Sequence, residues 1–167
     1  MSRFTLQFLG PPHFQQDEIP ISVTRRKGVA LLAYLAMAEE PQSRHLLATV
    51  LWPGYGQSDA RGNLRRTLYA LKSAIGDGVL EITENELTLV DSEDVWCDVR
   101  LFQQTLAGSP EKSIDAAALR TALDLYRGDF LQGFSLDDSA DFDAWQMRTA
   151  DLLQMLFIEG SDRLITQ

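Results

Sequence analysis

The chain has a single cysteine, Cys97, and only two histidines, His13 and His45. One cysteine cannot close an internal disulfide, which fits a reducing compartment. With two histidines it leaves too few ligands for a structural zinc site. No apolar run approaches the roughly 20 residues that a membrane span needs; stretches such as Val29 to Ala38 are far shorter. The first residues lack the long apolar core of a signal peptide. These absences lead us to expect a cytoplasmic protein with no membrane association. Catalytic signatures are also missing: there is no GxxxxGKS/T phosphate loop, no GxSxG elbow and no metal-binding histidine pair. The acidic run from Asp137 to Asp143 lacks the central glycine and terminal glutamate of a calcium loop. Capping of a following helix by Asp138 or Ser139 explains that run better. The expectation is a non-enzyme without metal or cofactor.

What is present fits an ordinary globular chain. Its 167 residues, 45% hydrophobic and 23% charged, suffice for one sizeable core or two small ones. The net charge of −9 argues against a nucleic-acid partner until its distribution is read. Residues 1–75 hold nine Lys/Arg against five Asp/Glu, a net +4, and residues 76–167 hold six against nineteen, a net −13. A basic front half suits a polyanion, and an acidic back half suits solvent or a protein partner.

The apolar period changes along the chain. Phe4, Leu6 and Phe8 alternate with polar neighbours as a strand does, up to Gly10-Pro11-Pro12. Short strands are expected near His13–Gln15 and Ile19–Val23, separated by Asp17-Glu18. Val29, Leu32, Ala33, Leu35 and Ala36 then recur at helical spacing between about Arg26 and Ala38, with Thr24 as a cap and Pro41 as a stop. Ser43 suits the N-cap of a second helix from Arg44 to about Leu51, ended by Trp52-Pro53-Gly54. Ser58 or Asp59 would cap a third helix, to Ile75, broken by Gly76-Asp77-Gly78. Leu80, Ile82, Leu87 and Leu89 alternate about Glu84-Asn85 as a β-hairpin. Beyond the acidic stretch Asp91–Asp94 the pattern is helical. One helix is capped by Asp98 and runs to Leu106, Gly108-Ser109-Pro110 is a loop, a second helix extends from Ile114 or Asp115 to Tyr126, and a last one runs from about Ser139 onward.

The third helix is the most informative segment. Leu64, Leu68, Leu71 and Ile75 stack on one stripe. At about 100° per residue, Gly62, Arg66, Tyr69 and Ser73 face the other way, with Arg65 and Lys72 on one shoulder, Asn63 and Thr67 towards the other, and Arg61 at the first turn. Arginine can donate twice to guanine and asparagine can pair with adenine; Lys and Arg neutralise phosphates. Gly62 removes bulk where the helix would approach a base edge. A short capped helix before this one and a hairpin after it make a winged helix-turn-helix. Ser43 and Arg44 open the preceding helix, whose free amides and dipole suit a phosphate. The run Arg25-Arg26-Lys27 either touches the DNA backbone or is a solvated basic face. Trp52, Trp96 and Trp145 are read as packing residues.

Six segments together resemble a known family. They are Arg-Arg-Lys-Gly-Val-Ala-Leu-Leu-Ala-Tyr-Leu-Ala at 25–36, Ser-Arg-His-Leu-Leu-Ala-Thr-Val-Leu-Trp-Pro at 43–53, Ala-Arg-Gly-Asn-Leu-Arg-Arg-Thr-Leu-Tyr-Ala-Leu-Lys at 60–72, Trp-Cys-Asp-Val at 96–99, Leu-Tyr-Arg-Gly-Asp-Phe-Leu at 125–131 and Phe-Asp-Ala-Trp at 142–145. Their order and spacing are similar to the N-terminal region of regulators of the bacterial transcriptional activator domain family, which includes the antibiotic regulatory proteins of actinomycetes. The resemblance implies an α+β fold. Residues 1–92 would form a response-regulator-type winged helix-turn-helix, and residues 93–167 an all-α, tetratricopeptide-like domain. It implies a transcription regulator, an activator, that binds repeats in double-stranded promoter DNA. The helical domain would form a homodimer or contact RNA polymerase. By position, Arg61, Asn63, Arg65, Arg66 and Tyr69 would lie on the recognition helix. Ser43 and Arg44 would sit at the phosphate-facing helix start. The last helical pattern meets no stop signal, as in a piece of a longer regulator.

One feature departs from that pattern. The hairpin Leu80–Val90 carries Glu81, Glu84 and Glu86, with Asp91 beyond, and no Lys or Arg. A wing that enters a minor groove usually supplies a cation. The alternative reading is therefore a protein-interaction or dimerisation module with weak or no DNA binding. Leu152, Leu153, Leu156, Phe157 and Ile158, more apolar surface than one narrow stripe buries, favour it.

Overall fold

A computed structural model describes residues 3–108 and 113–166. The alternation at the start gives β1 (Phe4–Gln7), which buries Phe4 and Leu6 and turns Thr5 and Gln7 outward. It pairs antiparallel with β2 (His13–Gln16), and β2 pairs with β3 (Ile19–Ile21). Asp17 and Glu18, at the β2–β3 turn, both take positive φ (52° and 70°), the geometry of a tight hairpin. A fourth strand, β7 (Val95–Cys97), comes from beyond the wing and lies parallel to β1, so the sheet order is β3-β2-β1-β7.

The helical stripe after β3 forms α1 (Arg26–Met37), nearly buried all round from Gly28 to Ala36. Arg25 occupies its N-cap position and no side chain caps it, so Thr24 does not have the expected role. β4 (Gln42–Ser43) leads into α2 (Arg44–Leu51), where Ser43 Oγ accepts from the Leu46 amide at 3.2 Å as the sequence leads one to expect. α3 (Gln57–Ile75) begins earlier than expected: Gly56 is its N-cap, and Ser58 and Asp59 lie inside the first turn. Its inner stripe is wider as well, because Thr67 is buried alongside Ala60, Leu64, Leu68, Leu71 and Ile75. Each fully buried leucine or isoleucine there contributes about 1.5–3 kcal/mol, so packing rather than propensity holds the helix. Gly76 ends α3 at φ +80°, its amide bonded to Lys72 O at 2.8 Å. The hairpin follows as β5 (Leu80–Ile82) and β6 (Glu86–Leu89), joined by β4 in the order β4-β6-β5.

The back half is helical: α4 (Asp98–Leu106), α5 (Ala116–Asp124) and the 27-residue α6 (Ala140–Thr166) pack on one another. The expected loop residues Ser109 and Pro110 lie outside the described residues, as does Gln167 at the end of the last helical pattern. This architecture is a winged helix followed by a helical module. Tyr34 of α1 meets Trp145 of α6 with ring centroids 4.7 Å apart, and Phe130 and Phe142 close on Trp145 at 5.7 and 5.2 Å.

Two further connections join the halves. The segment 127–132 is stitched to the end of β1: Arg127 N donates to Leu9 O, Gly10 N to Asp129 O, Leu131 N to Phe8 O and Gln132 N to Gly10 O. Gly10 permits this at φ +122°, with Gly128 close against it. Asp98, 1% exposed, aims its carboxylate at three amides: Phe8 N at 2.9 and 3.0 Å, Leu9 N at 3.0 Å and Val99 N at 2.7 Å. Asp98, expected to cap α4, is instead the first residue of that helix, with Cys97 at the N-cap position, and its carboxylate anchors the end of β1.

Candidate nucleic-acid interface

The basic face of α3 stands clear of the helical module. Arg61, Arg65, Arg66, Tyr69 and Lys72 are all exposed, Tyr69 by 76%. Arg61 and Arg65 hold no hydrogen bond or ion pair among the described residues, so both guanidinium groups are available. Arg66 lies back along the helix, donating to Asn63 Oδ1, and passes over Gly62. A methyl group built on Gly62 would meet the Arg66 guanidinium at 3.5 Å, ordinary contact, and nothing closer. The fold itself therefore does not require glycine at position 62. Lys72 comes within 4.0 Å of Asp77, both well exposed, a pair worth little in water.

The start of α2, the first turns of α3 and the hairpin tip enclose a groove lined by Ser43, Arg44, Ser58, Arg61, Arg65 and Glu84. His45 lines it too and comes within 3.5 Å of Gln57 through Nδ1. Sequence assigned His45 no role and Ser58 only that of a helix cap. Their proximity depends on the α2–α3 turn, which no periodicity reveals. The start of α2 has fewer open amides than expected: Arg44 N donates to Asn85 O at 2.9 Å, and Leu46 N is taken by Ser43 Oγ. Arg44 also donates from Nη1 to Thr83 O at 3.1 Å. Part of its function is thus to hold the hairpin, which corrects the picture of an open phosphate cradle.

Arg26 and Lys27 are corrected more sharply. Grouped in sequence with the DNA-facing bases, they turn to the helical module instead. Arg26 donates to Ser135 O, with its guanidinium 4.8 Å from the Phe134 ring centre. Lys27, 17% exposed, donates to Leu51 O and to Ser139 Oγ at 2.8 Å, pairs with Asp138 at 2.9 Å and lies over the Trp52 ring. Ser139 Oγ itself donates to Leu51 O at 2.9 Å. Asp138 and Ser139, expected to cap α6, thus clasp the end of α2. The Lys27 ammonium holds the Asp138 carboxyl below its ordinary range. Only Arg25 of the three remains exposed without a side-chain partner among the described residues.

The clasp can be tested by Lys27→Met. The variant should lose about 1–3 kcal/mol of stability, mostly from the charge-assisted hydrogen bonds to Leu51 O and Ser139 Oγ and little from Asp138, which is 60% exposed. Its salt dependence of duplex binding should match wild type. A slope smaller by about 0.9 would mean that Lys27 meets a phosphate after all.

The remaining reactive groups point elsewhere. Burial pushes the Cys97 thiol up to about 12, so it stays protonated and serves as packing. Among the described residues no group of three or more His, Cys, Asp or Glu could hold a metal, and no helix is long and apolar enough to cross a membrane.

No family model matches the chain, and no curated protein does. Among solved structures it is similar to Mycobacterium tuberculosis EmbR, in a structure of that protein in complex with a low-affinity phosphopeptide. Identity is 23%, the TM-score is 0.72, and the match covers 96% of this chain and 44% of the EmbR chain. The chain thus spans less than half the length of that protein, and at this identity the likeness is one of fold: a winged helix-turn-helix with a helical module behind it.

Proposed function

We propose that this chain is a sequence-specific DNA-binding transcription regulator, an activator that reads promoter repeats through α3. It is a regulator rather than an enzyme, takes no cofactor and works in the cytoplasm. On this reading residues 1–92 are the DNA-binding unit. Residues 93–167 are a tetratricopeptide-like unit that contacts a second subunit or RNA polymerase. The observation that carries the proposal is the unobstructed row Arg61, Arg65, Arg66, Tyr69 and Lys72, which runs from the shoulder to the outer face of a helix whose inner stripe is buried. Position 62 adds to it. Glycine in a helix interior costs about 1 kcal/mol against alanine, and since the free fold has room for a methyl group there, close approach of a ligand gives it a reason. Arg25, at the head of α1, is kept as a backbone contact, while Arg26 and Lys27 are not.

The test is a mobility shift with promoter fragments from the source genome, with affinity followed against salt. Binding that prefers particular fragments and weakens steeply with salt is expected. Salt-independent binding, or none, contradicts it.

A second reading is a protein-interaction module, favoured by one observation. Met147, Met155, Ile158 and Ile165 are exposed on the side of α6 away from its buried residues, with Leu152 at the edge. The two readings are compatible, and duplex binding separates them.

A further inference from the structure

The hairpin tip is fixed in place beside the basic groove. Its backbone is fastened to the start of α2 by Arg44 N to Asn85 O and by the Arg44 guanidinium to Thr83 O. Within the tip, Thr83 N donates to Glu86 O at 3.0 Å and Glu86 N to Thr83 Oγ1 at 3.0 Å. β4 then pairs Ser43 directly opposite Glu86. These contacts leave the tip no loose hinge at α2. Glu84 lines the same groove as Arg44, Arg61 and Arg65, and Glu86 stands across from the α2 cap. Neither carboxylate holds a hydrogen bond or ion pair among the described residues, and both are exposed. Two free negative charges thus sit on the hairpin that borders the groove of Arg44, Arg61 and Arg65.

We infer that Glu84 and Glu86 form an electrostatic brake on the duplex site, holding its affinity down and making recognition depend on base contacts from α3. The inference rests on the DNA-binding reading above. Phosphates attract the arginines of the groove and are repelled by the tip at similar range. Within a Debye length of about 8–10 Å such repulsion is only partly screened. It acts on every sequence alike, so it lowers promoter and non-specific affinity by a similar factor and leaves the ratio between them to base contacts. Discrimination between duplexes then comes from the arginines and Asn63.

The test compares three full-length proteins on one promoter duplex and one random duplex. They are wild type, Glu84→Gln/Glu86→Gln, and Asp151→Asn/Glu159→Gln. The third removes the same charge from exposed positions on α6. The glutamines disturb no bond of the tip, and melting curves check this. At about 50 mM salt the tip variant should bind both duplexes at least ~5-fold more tightly, with a steeper salt slope and little change in promoter preference. The α6 variant should stay within about 2-fold of wild type. A tip variant that gains no more than the α6 variant overturns the brake while leaving the DNA-binding reading intact. Loss of promoter binding in the tip variant also overturns it, since the glutamates would then be contacts. Failure of all three proteins to bind either duplex overturns the brake and the DNA-binding reading together.

Discussion

Asp98→Ala should be the most destabilising single substitution in the connection between the halves. The change strands Phe8 N, Leu9 N and Val99 N, all in fully buried residues, without an acceptor. An orphaned buried donor costs about 1–3 kcal/mol, so the loss should reach about 3–6 kcal/mol. For a chain of this size it corresponds to a fall in melting temperature of roughly 10–20 °C. Asp98→Asn should fall between, since it keeps one acceptor but aims an NH2 group at an amide. Thermal melts followed by circular dichroism read both. An alanine variant that melts within about 2 °C of wild type would show that the carboxylate does not anchor β1.

The same carboxylate sets a pH dependence. Burial raises its pKa above the ordinary value, against the lowering effect of the three amides and of Arg127. The folded state therefore holds the proton more tightly than the unfolded chain does. The Asp98 contribution is fully present below the unfolded pKa and is lost as pH rises through the folded one. Asp138 acts the other way: its lowered pKa favours the fold above the unfolded value and is lost as pH falls. Its exposure makes that part small. Subtracting the Asp98→Ala stability profile from that of wild type should leave a component that declines with pH across this acidic window.

Arg65→Ala/Arg66→Ala should abolish sequence-specific duplex binding and leave the fold intact. Both side chains are exposed and bury nothing of the core. Surface changes of this kind usually alter stability by no more than about 0.5 kcal/mol. Each bidentate arginine–guanine contact carries about 1–3 kcal/mol of discrimination, so loss of both should weaken promoter binding at least ~30-fold. Arg65→Lys/Arg66→Lys keeps the charge but not the planar fork. It should recover salt-sensitive, non-specific binding without restoring promoter preference. Unchanged promoter affinity in the alanine pair would remove α3 from the groove.

Local pattern explains what could be read from the sequence. The alternation Phe4-Leu6-Phe8, the spacing of Leu64, Leu68, Leu71 and Ile75, the Ser43 cap and the hairpin about Glu84-Asn85 each lie within one element. The structure repeats them with boundaries shifted by a few residues. β4 and β7 have two and three residues, too few to show a period of two. Thr24, Ser58 and Asp59 have the chemistry of caps but not the position, because Arg25 and Gly56 take the turn into each helix. The connections between the halves were beyond sequence reasoning. Lys27 meets Ser139 across 112 positions, and Asp98 meets Phe8 across 90. The basic run 25–27 resembled a DNA contact for this reason: charge can be read along the chain, but the acceptor that uses it cannot. The exposed row on α3 could be anticipated because it is the complement of a periodic buried stripe.

Photo-cross-linking from position 69 tests the α3 face most directly. Tyr69 is replaced by a photoreactive phenylalanine in the full chain, and the same residue is placed at Met147 on α6, which is 69% exposed, as the control. With a bound promoter duplex, covalent protein–DNA product is expected from position 69 and not from position 147. Product from 147 alone, or from neither while the duplex remains bound, would contradict α3 as the reading helix.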